Sequence, residues 1–469
     1  MEGEAMNLHT IEKAPMQYFK PIGDHFFAGD CMPFFHDGVF HLFYLHDENH
    51  HAALGGLGGH QWAHATTTDL VNWTHHPLAI AITNDWEFSI CTGSTFYHAG
   101  TYYGFYATRN QDWSQHLSLA TSADGLTFHK TEPNPYASPL QGYHRDHYRD
   151  PFVFWDEPTA QFHMLVTAML EDYPLHDLGG CLAHLTSTDL HHWTVEEPFY
   201  IPGLRGAPEC ADHFYWRGWY YLLFGNDLVT RYRMSQSPFG PWQRPPSDVL
   251  DAPAMRVMKT APFTGDRRLG AAWIGTREGD KDAGRFQWGG HVVLREIIQH
   301  ADGTLGTRFV PELMPAAKQA LTVSAVPLTP NVSLTGSQAR LDASYSLEAA
   351  RIGVATPRAT IKMRITPSPN SAVFGLRLRS SNNFEGGYDL RFLPYEQRVE
   401  LCDQAITGVT GLDQPFDLEI VLRDGIIDVC IDHRRCLINR LPEADGMRVH
   451  LFAHNAVVTF DNMTITADH

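Results

Sequence analysis

Hydrophobic and polar residues alternate over short runs along the whole chain, and glycine or polar residues separate the runs. A period of two is typical of β-strands with one buried face, whereas sustained helical periodicity is hard to find. One pattern occurs five times: a short apolar strand, a polar or glycine turn, and an aromatic-rich strand. Its copies are FFHDGVFHLFY (34–44), TFYHAGTYYGFYA (95–107), VFWDEPTAQFHMLVTA (153–168), HFYWRGWYYLLFG (213–225) and PFTGDRRLGAAWIG (262–275).

Each copy predicts a β-hairpin, with turns near Gly38, Gly100, Pro158, Gly218 and Gly265. A second element follows several hairpins and predicts a turn between outer strands. Its copies are TTTDLVNW, TSADGLTF and TSTDLHHW, and SQSPFGPW is a looser version. The copies lie mostly about 45–62 residues apart, as expected for propeller blades with long loops. The chain therefore predicts an all-β protein with a five-bladed β-propeller; a β-sandwich with incidental similarity is the alternative.

The repeats stop past about residue 310, which predicts a domain boundary. We expect a propeller over 1–315, a Pro- and Ala-rich linker over 316–332, and a β-sandwich over 333–469. The last domain is predicted from alternating runs, namely ATIKMRITP, AVFGLRLRS, GYDLRFLP, FDLEIVLRD, GIIDVCIDH, MRVHLFAHN and AVVTFDNMTIT. It carries no acidic block like those of the propeller, so a structural role is expected.

Composition narrows the class of protein. With 35 Lys and Arg against 53 Asp and Glu, the net charge of −18 argues against a nucleic-acid partner or an anionic membrane surface. Apolar runs such as Val39 to Leu45 are too short for a transmembrane helix. Seven scattered cysteines without a CxxC pair and an acidic first segment, MEGEAMNLHTIEK, predict a cytoplasmic protein without a disulfide framework.

Three carboxylates precede hairpins at matching positions. Asp30 lies eight residues before Gly38, Asp150 eight before Pro158, and Glu209 nine before Gly218. If these segments are the innermost strands of blades one, three and four, all three side chains point into one axial pocket. Such a cluster suits glycoside hydrolysis, which needs a nucleophile and a general acid, or a hard-cation site such as calcium. The plain alternative is that each acid caps a turn.

The blocks around these acids resemble glycoside hydrolase family 32, the invertase, inulinase and levanase group. The family's acidic blocks are similar to GDCMPFFHDGVFHLFY, YRDPFVF and APECADHF, and further similarity lies in QWAHATTTDLVNWTHHPLAI, CTGS (91–94), WGGHVVLREI (288–297) and the C-terminal strands. The resemblance spans nearly the whole chain and implies a propeller followed by a sandwich. It also implies a retaining hydrolase of β-fructofuranosides, such as sucrose or inulin- and levan-type fructans.

The resemblance implies a role for each acid. Asp30 would be the nucleophile, Glu209 the general acid/base, and Asp150 would hold two sugar hydroxyls. The residues themselves agree, since Glu209 between Pro208 and Cys210 is expected to be poorly solvated, which would raise its pKa and leave Asp30 to titrate lower. Arg149 would keep Asp150 ionised and could bond a hydroxyl.

Several positions depart from the family pattern. Phe27, Gly29 and Cys31 stand where the family has Trp, Asn and Pro, Leu45 replaces its Gln, and an aromatic-Ser pair is replaced by Cys91 and Thr92. The family uses these positions to contact the fructosyl unit, so an altered substrate preference is expected. The predicted substrate-binding residues share a place beside the acids or near a blade end; they are Arg149, Trp62, Cys91, Thr92, Leu45, Trp288 and Cys210.

No cofactor or metal is expected. His46, His50, His51, His60 and His64 surround a Gly-rich loop, but their spacing matches no metal-site template. The sequence leaves three alternatives to hydrolysis of fructosides: a fructosyltransferase on the same scaffold, an inverting arabinan- or xylan-directed furanosidase, and a carbohydrate-binding propeller without activity. The expected partner is an oligosaccharide or disaccharide.

Overall fold

The computed structural model describes residues 15–50, 59–138, 140–316, 318–336 and 338–467. The acidic segment at 1–13 and His51, both used in the sequence predictions, lie outside these residues. The described chain forms two compact units. The first contains Met1–Pro245, Arg256–Gly275 and Gln287–Glu296, and the second Pro246–Met255, Thr276–Phe286 and Ile297–His469. An all-β protein, as predicted from the alternation, is confirmed.

The helices of the described residues are single 3-10 turns. They include His176–Leu178, Thr264–Asp266, Glu278–Asp280, Pro311–Leu313 and Pro394–Glu396. None of the helices in this part of the chain has the length and apolar character needed to cross a bilayer. All seven cysteines are free, and only Cys402 is exposed.

The strands of residues 26–308 follow one another in five groups. Group 1 contains β1 Phe26–His36, β2 Val39–Glu48, β3 Gln61–Thr67 and β4 Thr74–Ile80. Group 2 contains β5 Ser89–His98, β6 Thr101–Arg109, β7 Gln115–Ser122 and β8 His129–Lys130. Group 3 contains β9 Tyr143–Asp156, β10 Gln161–Leu170, β11 Gly180–Ser187 and β12 Thr194–Tyr200.

The last two groups are smaller. Group 4 contains β13 Glu209–Trp216, β14 Trp219–Asn226 and β15 Val229–Ser235. Group 5 contains β16 Met255–Phe263, β17 Arg267–Arg277, β18 Phe286–Gln299 and the short β19 Leu305–Arg308. Within a group, each strand pairs with its neighbour in sequence, so groups 2, 3 and 4 are separate sheets. Groups 1 and 5 form one eight-stranded sheet, because β1 pairs with β18 at Ala28 and Gly290.

All five predicted hairpins are present, and backbone conformation explains their turns. Asp37–Gly38, Ala99–Gly100 and Arg217–Gly218 each have positive φ at both central residues of a two-residue loop. Positive φ at both positions is typical of a type I′ turn, whose twist matches that of the flanking strands. Glycine suits the second position since it carries no β-carbon.

The repeated polar heads do turn the chain between outer strands. The Thr67 hydroxyl accepts the Leu70 N–H at 2.9 Å, and Asp69 Oδ1 accepts the next two N–H groups. Ser122 with Asp124 and Ser187 with Asp189 repeat this arrangement between β7 and β8 and between β11 and β12. The side chains thus satisfy backbone donors that a tight turn leaves unpaired.

The second unit is built on one sheet. Its strands are β20 Gln319–Leu321, β21 Val326–Pro327, β22 Val332–Thr335, β23 Gln338–Val354, β24 Arg358–Pro367, β25 Val373–Ser380, β26 Tyr388–Leu393, β27 Arg398–Leu401, β28 Gln404–Ile406, β29 Phe416–Arg423, β30 Ile426–Ile431, β31 Arg435–Arg440 and β32 Arg448–Ala467. The alternating side chains of these strands supply most of one buried apolar core.

Two details of this unit differ from the sequence predictions. Residues 316–332, predicted as a linker, contain β20 and β21 and the first residue of β22, which pair with β32 and β23. The two segments predicted as separate final strands form the single 20-residue β32. Asn455 has φ of 47° and lies at the register shift between β32 and β23, where β32 bends. The polar residues that interrupt the apolar alternation here therefore mark a bend within one strand and not a turn between two strands.

Candidate active site

The three predicted carboxylates lie on the first strands of groups 1, 3 and 4, and each lies at an irregularity of its strand. Pairing shifts register between Ala28 and Cys31 around Asp30, between Arg149 and Phe152 around Asp150, and after Glu209. Such bulges re-aim side chains next to functional sites. Asp150 itself has φ of 55°, and Cys210, next to Glu209, has φ of 54°.

Asp30 accepts hydrogen bonds on both carboxylate oxygens. The Thr92 hydroxyl donates to Oδ2 at 2.6 Å, and the Trp273 indole N–H donates to Oδ1 at 2.9 Å. Burial raises the pKa of Asp30 to about 6, with further increase from Asp150 and Glu209, while the two hydrogen bonds oppose the shift. A partly protonated carboxylate near pH 6 follows from this balance.

Asp150 is held by backbone and hydroxyl donors. It is 2% exposed, and its Oδ2 lies 3.0 Å from the Thr167 hydroxyl and 3.1 Å from the Cys210 N–H. Burial raises the pKa of Asp150, and the nearby Arg149 guanidinium limits that rise. Cys210 also reaches Asp30, since its Sγ lies 3.8 Å from Asp30 Oδ2. Cys210 therefore bridges the two aspartates.

Arg149 joins Asp150 to Glu209. Its Nη2 lies 2.5 Å from Glu209 Oε1, and its Nε lies 3.6 Å from Asp150 Oδ2. Burial alone would lower the pKa of Arg149, but the two carboxylates outweigh it and raise the pKa above the usual value. The guanidinium also donates to Gln115 Oε1 at 3.4 Å and to His147 Nδ1 at 3.3 Å. A fixed cation thus neutralises part of the charge of the cluster.

The solvation of Glu209 and Asp30 is the reverse of the sequence prediction. The Glu209 side chain is 44% exposed, although Pro208 and Cys210 suggested a poorly solvated position. Asp30, expected to titrate low, has the raised pKa. The reason is that Glu209 is the first residue of β13 and extends to solvent beside Arg149, whereas Asp30 lies inside its strand and faces Thr92, Trp273 and Cys210.

Five predicted substrate-binding residues are buried in this structure, and one of them is Cys210 beside the acids. Trp62 is fully buried and its indole N–H donates to the Cys91 carbonyl at 2.8 Å, while Leu45 is 2% exposed in the same apolar cluster. Both are therefore core residues with no free face for a sugar, which corrects their assignment. Cys91 is 5% exposed, and Thr92, at 2%, acts on Asp30 rather than offering a free hydroxyl.

Trp288 occupies the place of the side chain that Gly29 lacks. A β-carbon built on Gly29 would lie 2.0 Å from the Trp288 ring, so the glycine and the tryptophan fit only together. The ring stacks on His60 at 4.1 Å between centroids and lies 5.1 Å from the ring of Trp273, the donor to Asp30. Of the remaining departures, Phe27 stacks on His50 at 3.9 Å, and the Cys31 thiol donates to the Ala272 carbonyl at 3.4 Å. The wall beside Asp30 is therefore aromatic.

Gly29→Ala is expected to destabilise the protein by about 1–3 kcal/mol, the usual cost of overpacking, because the new methyl group displaces the Trp288 ring. In a Trp288→Ala background the same change should cost much less, and thermal unfolding of the four proteins measures this coupling. Gly104→Ala is the control, since a β-carbon there would meet side chains only at 3.4 Å. Equal costs of Gly29→Ala in both backgrounds would contradict the proposed fit.

Sequence reasoning missed three residues that hold the cluster. Trp273 and Thr167 donate to Asp30 and Asp150, and Lys259 carries a buried ammonium near Asp150. Trp273 and Thr167 lay inside the quoted hairpin repeats AAWIG and MLVTA, where they resemble ordinary strand residues. The available signal was that Trp273 and Thr167 each carry a hydrogen-bond donor within a strand of otherwise apolar residues. Among the described residues, no group of three or more His, Cys, Asp or Glu side chains is placed to hold a metal ion.

Comparisons with known proteins identify similar sequences. Residues 31–237 match the glycosyl hydrolases family 32 N-terminal domain. A levanbiose-producing levanase of Bacillus subtilis (strain 168) is 27% identical over 225 residues, which are 45% of this chain and 39% of the relative. A bifunctional 6(G)-fructosyltransferase/2,1-fructan:2,1-fructan 1-fructosyltransferase of Allium cepa is 29% identical over 161 residues, 33% of this chain and 26% of the relative.

The fold of this chain is similar to that of a solved fructan exohydrolase. The crystal structure of fructan 1-exohydrolase IIa from Cichorium intybus aligns with a TM-score of 0.74 at 18% identity, covering 96% of this chain and 97% of that one. The chain spans about a quarter to two fifths of the length of the two curated relatives named above. From the matched domain and its acidic blocks, it follows that residues 31–237 of this chain belong to the N-terminal domain of glycosyl hydrolases family 32.

Proposed function

We propose that this protein is a retaining glycosidase that hydrolyses β-fructofuranosides by double displacement. The observation that carries the proposal is the connected cluster of three carboxylates, in which Cys210 links Asp30 to Asp150 and Arg149 links Asp150 to Glu209. A retaining glycosidase needs one carboxylate to attack the anomeric carbon and a second carboxyl group to move protons. In this proposal the five strand groups are five propeller blades, and the second unit is a β-sandwich.

Asp30 is the nucleophile in this proposal. Its two hydrogen-bond donors, Thr92 and Trp273, fix the carboxylate in one orientation, which favours attack along a defined line. The bond from the anomeric carbon to the leaving oxygen breaks as the bond to Asp30 forms, and water later breaks that ester. The raised pKa of about 6 makes the ionised carboxylate more basic and a better nucleophile once it is deprotonated.

Glu209 is the general acid/base, and Asp150 binds the sugar. The exposed position of Glu209 lets it protonate a leaving oxygen that departs toward solvent and then deprotonate an entering water. Asp150 uses Oδ2 for the Thr167 and Cys210 donors, so its other oxygen remains for sugar hydroxyls. Arg149 holds Glu209 and Asp150 at a fixed relative position.

Transfer of the fructosyl group to another sugar is the second candidate. The similarity to an Allium cepa fructosyltransferase favours it, and the partly exposed ring of Trp288, which packs on Trp273, is a surface on which an acceptor sugar could stack. Both reactions share the first half, so they differ only in whether water or a sugar hydroxyl attacks the ester of Asp30.

Incubation with a panel of sugars tests the proposal. The panel contains sucrose, inulin-type and levan-type oligosaccharides, and arabinan and xylan oligosaccharides, with products separated by chromatography and Asp30→Asn as the matched control. Free fructose from the first three supports hydrolysis, and longer fructosides support transfer. Release from arabinan or xylan alone, or binding without any product, would contradict the proposal in favour of a different furanosidase or a carbohydrate-binding protein.

A further inference from the structure

Lys259 is a buried cation that the proposed mechanism does not use. It lies on β16, its residue is 3% exposed, and its ammonium donates one hydrogen bond, to the Ala211 carbonyl at 2.9 Å. The ammonium also lies 5.1 Å from the centre of the Phe152 ring. Within the described residues, no carboxylate oxygen lies within 4 Å of it. Burial of a charge without a close partner is costly, so a specific role is expected.

The carbonyl that Lys259 contacts belongs to the bulge that begins at Glu209. Pairing between β13 and β14 is interrupted from Glu209 to Asp212, and Cys210 in between has the left-handed φ of 54°. Asp150 binds the N–H of Cys210, and Lys259 binds the carbonyl of Ala211, the next residue of the same backbone segment.

The neighbour of Lys259 fixes the far end of the same bulge. Thr260 donates to Asp212 Oδ2 through its N–H at 2.8 Å and through its hydroxyl at 2.5 Å. Arg268 in turn donates to the Thr260 hydroxyl at 2.7 Å. Two consecutive residues of β16 therefore set the backbone on which Glu209 is carried, and they do so from a different strand group.

We propose that Lys259 is a positioning residue for the reaction: through the Ala211 carbonyl it fixes the backbone behind Glu209, and its ammonium adds a positive charge on the β16 side of Asp150. This inference rests on the proposed function of the same site. The charged and titratable groups that face Asp150 are Arg149 on its own strand, Glu209 and the Cys210 thiol on β13, Asp30 on β1, the Cys91 thiol on β5 and Lys259 on β16. Lys259 is among the groups that limit the burial-driven rise in the pKa of Asp150.

The test replaces Lys259 by Met, which keeps the aliphatic stem against Phe152 and removes the charge. We expect kcat to fall on the order of 10–100-fold with little change in KM, because a displaced acid/base acts mainly in the transition state. We also expect the acidic limb of the pH profile to move to higher pH. Lys130→Met is the control, since Lys130 on β8 pairs with the buried Glu87 and contacts none of the three acids.

A purely structural role predicts a different result. If Lys259→Met and Lys130→Met both lower the Tm while neither changes kcat or the pH profile, the inference is overturned. Lys259→Gln, which restores a donor to Ala211 without the charge, covers the case in which the Met variant does not fold. The Gln variant should shift the acidic limb upward, and an unshifted limb contradicts the electrostatic role.

Failure of the proposed function gives a distinct outcome. A wild-type protein that turns over no fructoside overturns the proposed reaction before any variant is assayed. The positioning role is then decided by crystal structures of the wild type and of Lys259→Met. An altered Cys210 conformation and a moved Glu209 support it, and an unchanged bulge overturns it.

Discussion

Asp30→Asn is expected to lower kcat by on the order of 10⁴–10⁶-fold while sugar binding persists, because the negative charge is required chiefly in the transition state. Asparagine has the shape of aspartate, its oxygen can still accept from Trp273, and its amide can donate to Thr92. The loss would therefore report chemistry rather than collapse of the site. Steady-state kinetics and a sugar-binding titration measure the two quantities, and near-normal turnover would remove Asp30 from the mechanism.

The same variant is expected to be more stable than the wild type at neutral pH. The pKa of Asp30 rises from 3.8 to about 6 on folding, so the folded protein binds this proton more tightly than the unfolded chain does. The corresponding stability is fully present below pH 4 and is lost as the pH rises through about 6. A shift of this size corresponds to at most about 3 kcal/mol. The neutral amide removes the cost of burying the charge, so the Tm of the variant should exceed that of the wild type at pH 7.

A pH series of thermal unfolding separates this effect from others. The difference in Tm between wild type and variant should disappear below about pH 4, where both proteins are neutral at this position. In the wild type, kcat/KM should rise with pH through about 6, because attack needs the ionised Asp30. A constant difference in Tm across the range would mean that packing, and not the charge, sets the stability of the variant.

The sequence predicted the acids because hairpin geometry makes residue spacing meaningful. Each residue of a strand advances the chain by a nearly constant length. A residue eight or nine positions before the hairpin turn therefore lies at a similar distance from the turn in each strand group. Asp30, Asp150 and Glu209 could be found in that way. The bulges at these positions could not be predicted, since they depend on pairing with the next strand rather than on local residues.

Contacts from neighbouring strands account for what the sequence analysis missed. Trp273 is 243 residues from Asp30 in the chain, and its indole N–H finds the carboxylate only because groups 1 and 5 share a sheet. Trp62 was wrongly assigned to substrate binding for a related reason: the Cys91 carbonyl satisfies its one polar atom inside the core. Burial of an aromatic residue is decided by the strands packed on it, and a single repeat does not contain them.

Glu209→Ala is expected to lower kcat on natural fructosides by roughly 10²–10⁴-fold, the usual contribution of general acid/base catalysis. With a fructoside that carries a good leaving group, the first step should largely survive because that group needs no proton. Hydrolysis of the Asp30 ester should then become limiting, since no base activates the water. The basic limb of the pH profile should flatten.

Added azide provides the decisive measurement on Glu209→Ala. The carboxylate it replaces is 44% exposed, so a small anion can reach the space it leaves. Azide needs no deprotonation and should restore turnover by attacking the Asp30 ester, which gives a fructosyl azide of retained configuration. The exposed Glu157, on the turn between β9 and β10, supplies the control: Glu157→Ala should show normal kinetics and no azide effect. An azide product of inverted configuration would mean a single displacement without the Asp30 ester, as in an inverting furanosidase.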